Sequence, residues 1–210
     1  MFAPRAAAFT LAFVLAPAWT PGTFAADHGY TIEIDGKRYQ IELGKDYGHT
    51  TAGGDTIRYK VDRADVVRYR SDLLSFDHKS EYTPTRSEIG EGRFQTLLVS
   101  GQGNGVLIQE YATMNPSTLV DFMLREITKE DVEYGHQLKE YAYKKTLPGG
   151  QVLTGKRARL RYNGSETTYT VSAFGERDRG VLVVTMLHKD DEETEGHIID
   201  LMWNTLELDP

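Results

Sequence analysis

The chain of 210 residues contains no cysteine. Disulfides, thiol nucleophiles, Cys-ligated zinc and iron–sulfur clusters are excluded with it. No thiol stands near the N-terminus to carry a lipid. Long apolar runs are scarce too. After residue 25 no segment approaches the ~18 apolar residues that a membrane-crossing helix needs. Basic residues are outnumbered, 24 against 31 acidic, for a net charge of −7. That balance disfavours general nucleic-acid binding, which needs an electropositive surface, but it permits a local basic patch. Tryptophan occurs only at Trp19 and Trp203.

What is present begins with a leader. Arg5 is followed by the uncharged run Ala6 to Ala16, broken at Pro17. Eleven helical residues reach about 16 Å, half of a bilayer core, so a secretory signal fits better than a span. Thr23-Phe24-Ala25 places small residues at −3 and −1 of a cleavage site, and Ala16-Pro17-Ala18 offers a second cut. Residues 1–25 are expected to be removed, leaving 26–210 as one domain in the periplasm or outside the cell. Arg5 is the only charge lost, so 23 basic face 31 acidic residues, a net of −8. An exported domain without disulfides points to a bacterial envelope. In that setting Asn163-Gly164-Ser165 reads as a turn, not a glycan acceptor.

The domain opens with strands. Tyr30–Ile34 and Arg38–Leu43 alternate apolar and polar residues around Asp35-Gly36, a hairpin signal. Gly44 to Gly54 reads as a polar loop, and Thr56–Val61 alternates again. Residues 26–70 form either part of the main sheet or a small sub-lobe. Leu73–Phe76 is a short strand, followed by a polar stretch from Asp77 to Gly92. Phe94–Ser100 and Gly105–Tyr111 make a second hairpin, apolar enough to be covered on both faces. Asn115-Pro116 starts a helix over about 116–131 with Leu119, Phe122, Met123 and Ile127 inward. The strands Gln137–Leu147, Arg157–Tyr162, Thr167–Phe174 and Val181–Leu187 follow. A helix over Asp190–Asn204 and a last strand at Leu206–Leu208 complete the order. The fold class is α+β, a largely antiparallel β-sheet covered by helices, with an N-terminal hairpin extension.

Several of these segments, taken in order, resemble the PsbP-like superfamily of α/β/α sandwiches. They are the helix Leu119–Ile127, the strand Leu138–Lys145, and Gly155-Lys156-Arg157-Ala158 leading to Tyr162. The strands Thr167–Phe174 and Val181–Leu187, the helix Ile198–Trp203 and Leu206-Glu207-Leu208 complete the match. It covers Asn115 to Leu208. The resemblance implies an accessory or adaptor protein without a shared active site, and it carries no catalytic motif to any residue here.

Four patterns bear on function. Arg157, Arg159 and Arg161 share one strand face at about 7 Å spacing, which suits an anionic partner. A two-residue turn at Asn163-Gly164 sets Arg161 opposite Glu166, Arg159 opposite Thr168 and Arg157 opposite Thr170. The competing reading is a solvated face. The tip Gly101, Gly103, Asn104 and Gly105 lacks a nucleotide-loop context and reads as a mobile hairpin end that touches a partner. His188, Asp190, Asp191 and His197 have metal-binding side chains but no recognised ligand spacing, and acids at a helix start have their own electrostatic reason. Ser75, Asp77 and His78 are close in sequence, which is not evidence of a triad. The resulting expectation is an exported, non-catalytic binding protein of the cell envelope. It has no cofactor, and its partner is another protein or envelope component. The alternative is a small exported hydrolase with a noncontiguous His/carboxylate site in a deep pocket.

Overall fold

The computed structural model describes residues 30–51 and 53–209. The leader and both cleavage sites lie outside these residues. The chain divides between Asp62 and Arg63 into two units.

The first unit holds two hairpins. β1 (Tyr30–Ile34) pairs with β2 (Lys37–Ile41), and β3 (Asp46–Thr50) pairs with β4 (Thr56–Lys60). Asp35 and Gly36 both have positive φ, 50° and 73°, as a two-residue hairpin turn requires. The segment expected as a polar loop therefore contains β3. Its sequence, Asp-Tyr-Gly-His-Thr, has no aliphatic residue to betray the alternation. Tyr47 and His49 supply the inward side instead. Tyr47 stacks on Tyr59 at 5.6 Å, and His49 meets Tyr39 edge-on at 5.4 Å.

The second unit is layered. Its seven-stranded antiparallel sheet contains β7 (Thr85–Gly90), β8 (Arg93–Val99), β9 (Gly105–Tyr111), β10 (Gln137–Thr146), β11 (Val152–Tyr162), β12 (Ser165–Gly175) and β13 (Gly180–His188). The spatial order is β10-β11-β12-β13-β9-β8-β7. A three-stranded sheet joins β5 (Val66–Arg70), β6 (Leu74–Lys79) and β14 (Glu207–Leu208) in the order β14-β6-β5. Part of the 26–70 segment thus belongs here, because β5 pairs with β6.

Two helices cover the large sheet. α1 (Val120–Tyr134) lays Val120 and Leu124 over Ala158, Leu160, Val171, Ala173, Leu182 and Val184. α2 (Glu192–Thr205) and the small sheet cover the other face. There Ile198, Met202, Trp203 and Phe76 pack on Leu98, Val106, Ile108, Leu153, Val181 and Val183. Alternation along β13 sends Leu182 and Val184 to α1 and Val181 and Val183 to α2, so its run is continuously apolar. Each fully buried Leu or Val contributes roughly 1.5–3 kcal/mol.

Three local expectations change. β8 is only half covered, and Val99 is exposed. The polar stretch from Asp77 to Gly92 contains the end of β6 and all of β7, an exposed edge strand without an apolar face. Phe122 is 51% exposed, because the inward stripe of α1 is Val120, Met123, Leu124, Ile127 and Thr128. Thr128 satisfies its hydroxyl within the helix, donating to Leu124 O at 2.8 Å. The helix start is as read: Asn115 caps Ser117 N at 2.9 Å, Pro116 opens a 3₁₀ turn, and Gly135 ends α1 at φ 110°.

Tyr169 of β12 ties the sheet to α1 by donating to Asp131 Oδ2 at 3.3 Å. Burial first, then the Asp131 charge and hydrogen bond, push its phenol up to about 12. A raised pKa means the folded state favours the protonated phenol. Its stabilising contribution is complete below the ordinary value of 10.0 and is lost as pH rises toward about 12. Tyr169→Phe is expected to flatten the fall in stability over that window and to cost about 1 kcal/mol at neutral pH. Urea unfolding against pH checks both, and an unchanged alkaline limb contradicts the assignment.

Candidate functional site

The alternation of β11 that sends Ala158 and Leu160 into the α1 layer sends Arg157, Arg159 and Arg161 to the α2 side. Asn163 and Gly164 turn the chain with φ 49° and 90°. The register then sets Arg161 against Glu166, Arg159 against Thr168 and Arg157 against Thr170, as expected. The three arginines do not lie on an open face. With α2 alongside, they line a groove of about 490 Å³. Tyr143 and Lys145 of β10, Thr168 and Thr170 of β12, and Thr185 and Leu187 of β13 extend the floor. Glu192, Gly196, Ile199, Asp200 and Trp203, one stripe of α2, form the wall, with Lys189 at its start.

The arginines differ in what holds them. Arg161 pairs with Glu166, and that hydrogen bond holds the Glu166 carboxyl below its usual range. Arg157 donates from Nε to Thr170 Oγ1 at 3.3 Å and lies 4.9 Å over the Tyr143 ring. Arg159 lies 5.6 Å over the Tyr141 ring. Among the described residues no carboxylate pairs with Arg157 or Arg159. Each guanidinium lies near an aromatic ring, and the N–H groups not engaged by Thr170 can grip an anion. Lys145 stands 5.9 Å over Trp203, whose ring is 6.4 Å from Tyr143. The groove holds five cations, Lys145, Arg157, Arg159, Arg161 and Lys189, against the acids Glu166, Glu192 and Asp200. It is a net-positive surface on a net-negative protein.

Among solved structures, cyanobacterial PsbP is one that is similar to this chain. The solution structure of that protein from Synechocystis matches with a TM-score of 0.47 and 11% identity, over 71% of this chain and 95% of that one. A crystal structure from Bacteroides thetaiotaomicron matches with a TM-score of 0.34 and 15% identity, over 65% of this chain. The match spans 45% of that second chain. No protein-family profile matches the sequence. No curated protein matches it. The α+β assignment rests on the strand order and layers described above.

The glycine-rich tip is only partly on the surface. Gly101 and Gln102 are exposed, but Asn104 and Gly105 are buried. Asn104 is a structural lock. Its amide donates to Asp191 Oδ2 at 2.8 Å and to Glu195, and its carbonyl accepts from His188 N at 2.7 Å. Ser100 also donates to Glu195 Oε2, at 2.6 Å. The acids at the start of α2 thus hold the β8–β9 turn, and Asn104 and Gly105 are removed from any contact surface. Asn104→Ala is expected to cost about 2–3 kcal/mol, because a buried network loses its centre. Chemical denaturation measures it, and a loss below about 0.5 kcal/mol, the level of a neutral surface change, contradicts the lock.

The metal pattern is not assembled. His188 Nδ1 lies 2.8 Å from Thr167 Oγ1, Asp191 serves Asn104, and His197 sits 6.1 Å from the Tyr82 ring. Among the described residues no three His, Asp or Glu side chains converge as a metal site. Ser75 and Asp77 share one side of β6, where both accept from Arg68, whereas His78 is buried on the other side. The aromatic and hydroxyl parts of the groove, Tyr143, Trp203 and Thr185, had no motif to mark them. The β10–β11 pairing brings Tyr143, the β12–β13 pairing brings Thr185, and α2 brings Trp203 to the arginines.

Proposed function

We propose that the protein is an exported, non-catalytic accessory protein of the bacterial envelope that binds an anionic partner through the groove beside α2. The observation that carries this reading is the pair Arg157 and Arg159, two guanidiniums without carboxylate partners among the described residues, set on tyrosine rings in a cleft. Two left open, with the Thr168, Thr170 and Thr185 hydroxyls beside them, form a receptor for carboxylate or phosphate groups. The groove lining is arginine, lysine, threonine, acid, aliphatic and aromatic, without a histidine. That composition favours holding an anion over the His/carboxylate hydrolase chemistry of the alternative. The leader motivates the location.

Trp203 reports on the groove, and it is the only tryptophan after residue 25. Titration with poly-L-glutamate is expected to change its emission in the wild type, with the response lost in Arg157→Ser/Arg159→Ser. Equal responses from the two proteins overturn the groove assignment. Export is tested separately by intact mass of the protein from fractionated cells. A chain starting at Ala26 or near it in the envelope fraction supports the location, and a cytosolic chain retaining residues 1–25 refutes it.

A further inference from the structure

We propose that the free edge of β10 accepts an extended acidic segment of a partner protein as an added strand, with alternate carboxylates turned toward Arg157 and Arg159. The inference rests on the groove reading above and names how the partner docks. β10 ends the sheet, and among the described residues no strand pairs with its outer side. Its inner side pairs with β11 through ten consecutive residues without a register shift. The outer side therefore presents a straight row of unpaired N–H and C=O groups. No proline interrupts it. The opposite edge is a poor template by comparison. β7 has six residues and a register shift between Glu88 and Gly90.

β10 is also uncovered. Eight of its ten residues are exposed, whereas β13, in the middle of the same sheet, is mostly buried. On the groove side it presents Lys139, Tyr141, Tyr143 and Lys145. Both open guanidiniums reach onto it from β11, because the rings under them are Tyr143 and Tyr141. On the other side it presents Leu138 and Ala142, with Glu140 between them held by Lys156 at 3.1 Å and Lys144 beyond. A strand alternating acidic and apolar residues matches both sides at once, since strand side chains alternate at about 7 Å repeats. β10 itself carries Lys139, Lys144 and Lys145 against Glu140. That excess repels a second copy of β10 and selects an acidic partner.

The probe is a fluorescein-labelled decapeptide of alternating Glu and Val, followed by anisotropy, with hydrogen exchange read on residues 137–146. The peptide is expected to bind, and the outward-facing β10 amides to exchange more slowly in its presence. The fully N-methylated peptide, equal in charge but unable to donate, is expected to bind at least about tenfold more weakly. Equal binding of the two peptides with unchanged β10 exchange overturns strand addition and leaves the groove reading standing. So does saturation by polygalacturonate, an acidic glycan, with the decapeptide inert at millimolar concentration. Unaltered peptide affinity in Arg157→Ser/Arg159→Ser instead overturns the groove reading itself.

Discussion

Gly155→Ala is expected to destabilise the protein by about 3 kcal/mol, near the upper end of what overpacking costs. Gly155 pairs with Tyr143 on one side and Ser172 on the other. A Cβ there would collide with the Val171 carbonyl oxygen and with Ser172 Cα. Both are backbone atoms of β12, so no flexible side chain can swing aside. The strands must separate at the second of nine consecutive pairs. Leu153 and Val171, both fully buried nearby, would lose close packing as they do. Stabilities of domains run at about 5–15 kcal/mol, so the loss is a large fraction of the total. A fall in Tm of about 6–12 °C is the corresponding thermal shift. Gly101→Ala is the control, since nothing lies within 4 Å of its Cβ. A Gly155→Ala protein as stable as Gly101→Ala contradicts the close β11–β12 approach.

Arg157→Ser/Arg159→Ser is expected to weaken an acidic ligand at least about a hundredfold, because two charge-assisted contacts worth roughly 1.5–3 kcal/mol each are removed. The fold is expected to survive. Neither arginine leaves an orphaned carboxylate behind, and the losses are one hydrogen bond to Thr170 and contacts with two tyrosine rings. Unfolding should shift by no more than about 1 kcal/mol. Wild-type affinity should also fall with added salt, since the groove is open to solvent and its charges are screened. Arg161→Ser separates pairing from binding. Arg161 is already engaged by Glu166, so its removal should cost the ligand less and return the Glu166 carboxyl toward its ordinary range. Isothermal titration on the three proteins measures the ranking. Equal losses from Arg161→Ser and from the pair would contradict the distinction between engaged and open guanidiniums.

The arginine register was legible because it is local. Asn163-Gly164 dictates a two-residue turn, and period-two alternation does the rest. The helix start was legible for a similar reason, through Asn115, whereas its end was read at about 131 and lies at Tyr134. The groove was not, because its second wall comes from α2, more than 30 residues beyond Arg161 in the chain. Whether the last helix covers the α1 face or the arginine face depends on which way the chain turns after β13, and no residue pattern states that. β3 and β7 escaped because their inward residues are aromatic, polar or exposed, so no aliphatic alternation marks them. Asn104 misled for another reason. Glycines around it imply an exposed turn, and the acids that bury it, Asp191 and Glu195, lie on a distant element.

Backbone amide shifts recorded while the protein is titrated with poly-L-glutamate test the groove most directly. The account predicts that the perturbed residues cluster at 155–161, 168–170 and 185–187, together with the Trp203 indole. Perturbations concentrated on the α1 face, or none at saturating ligand, would contradict it.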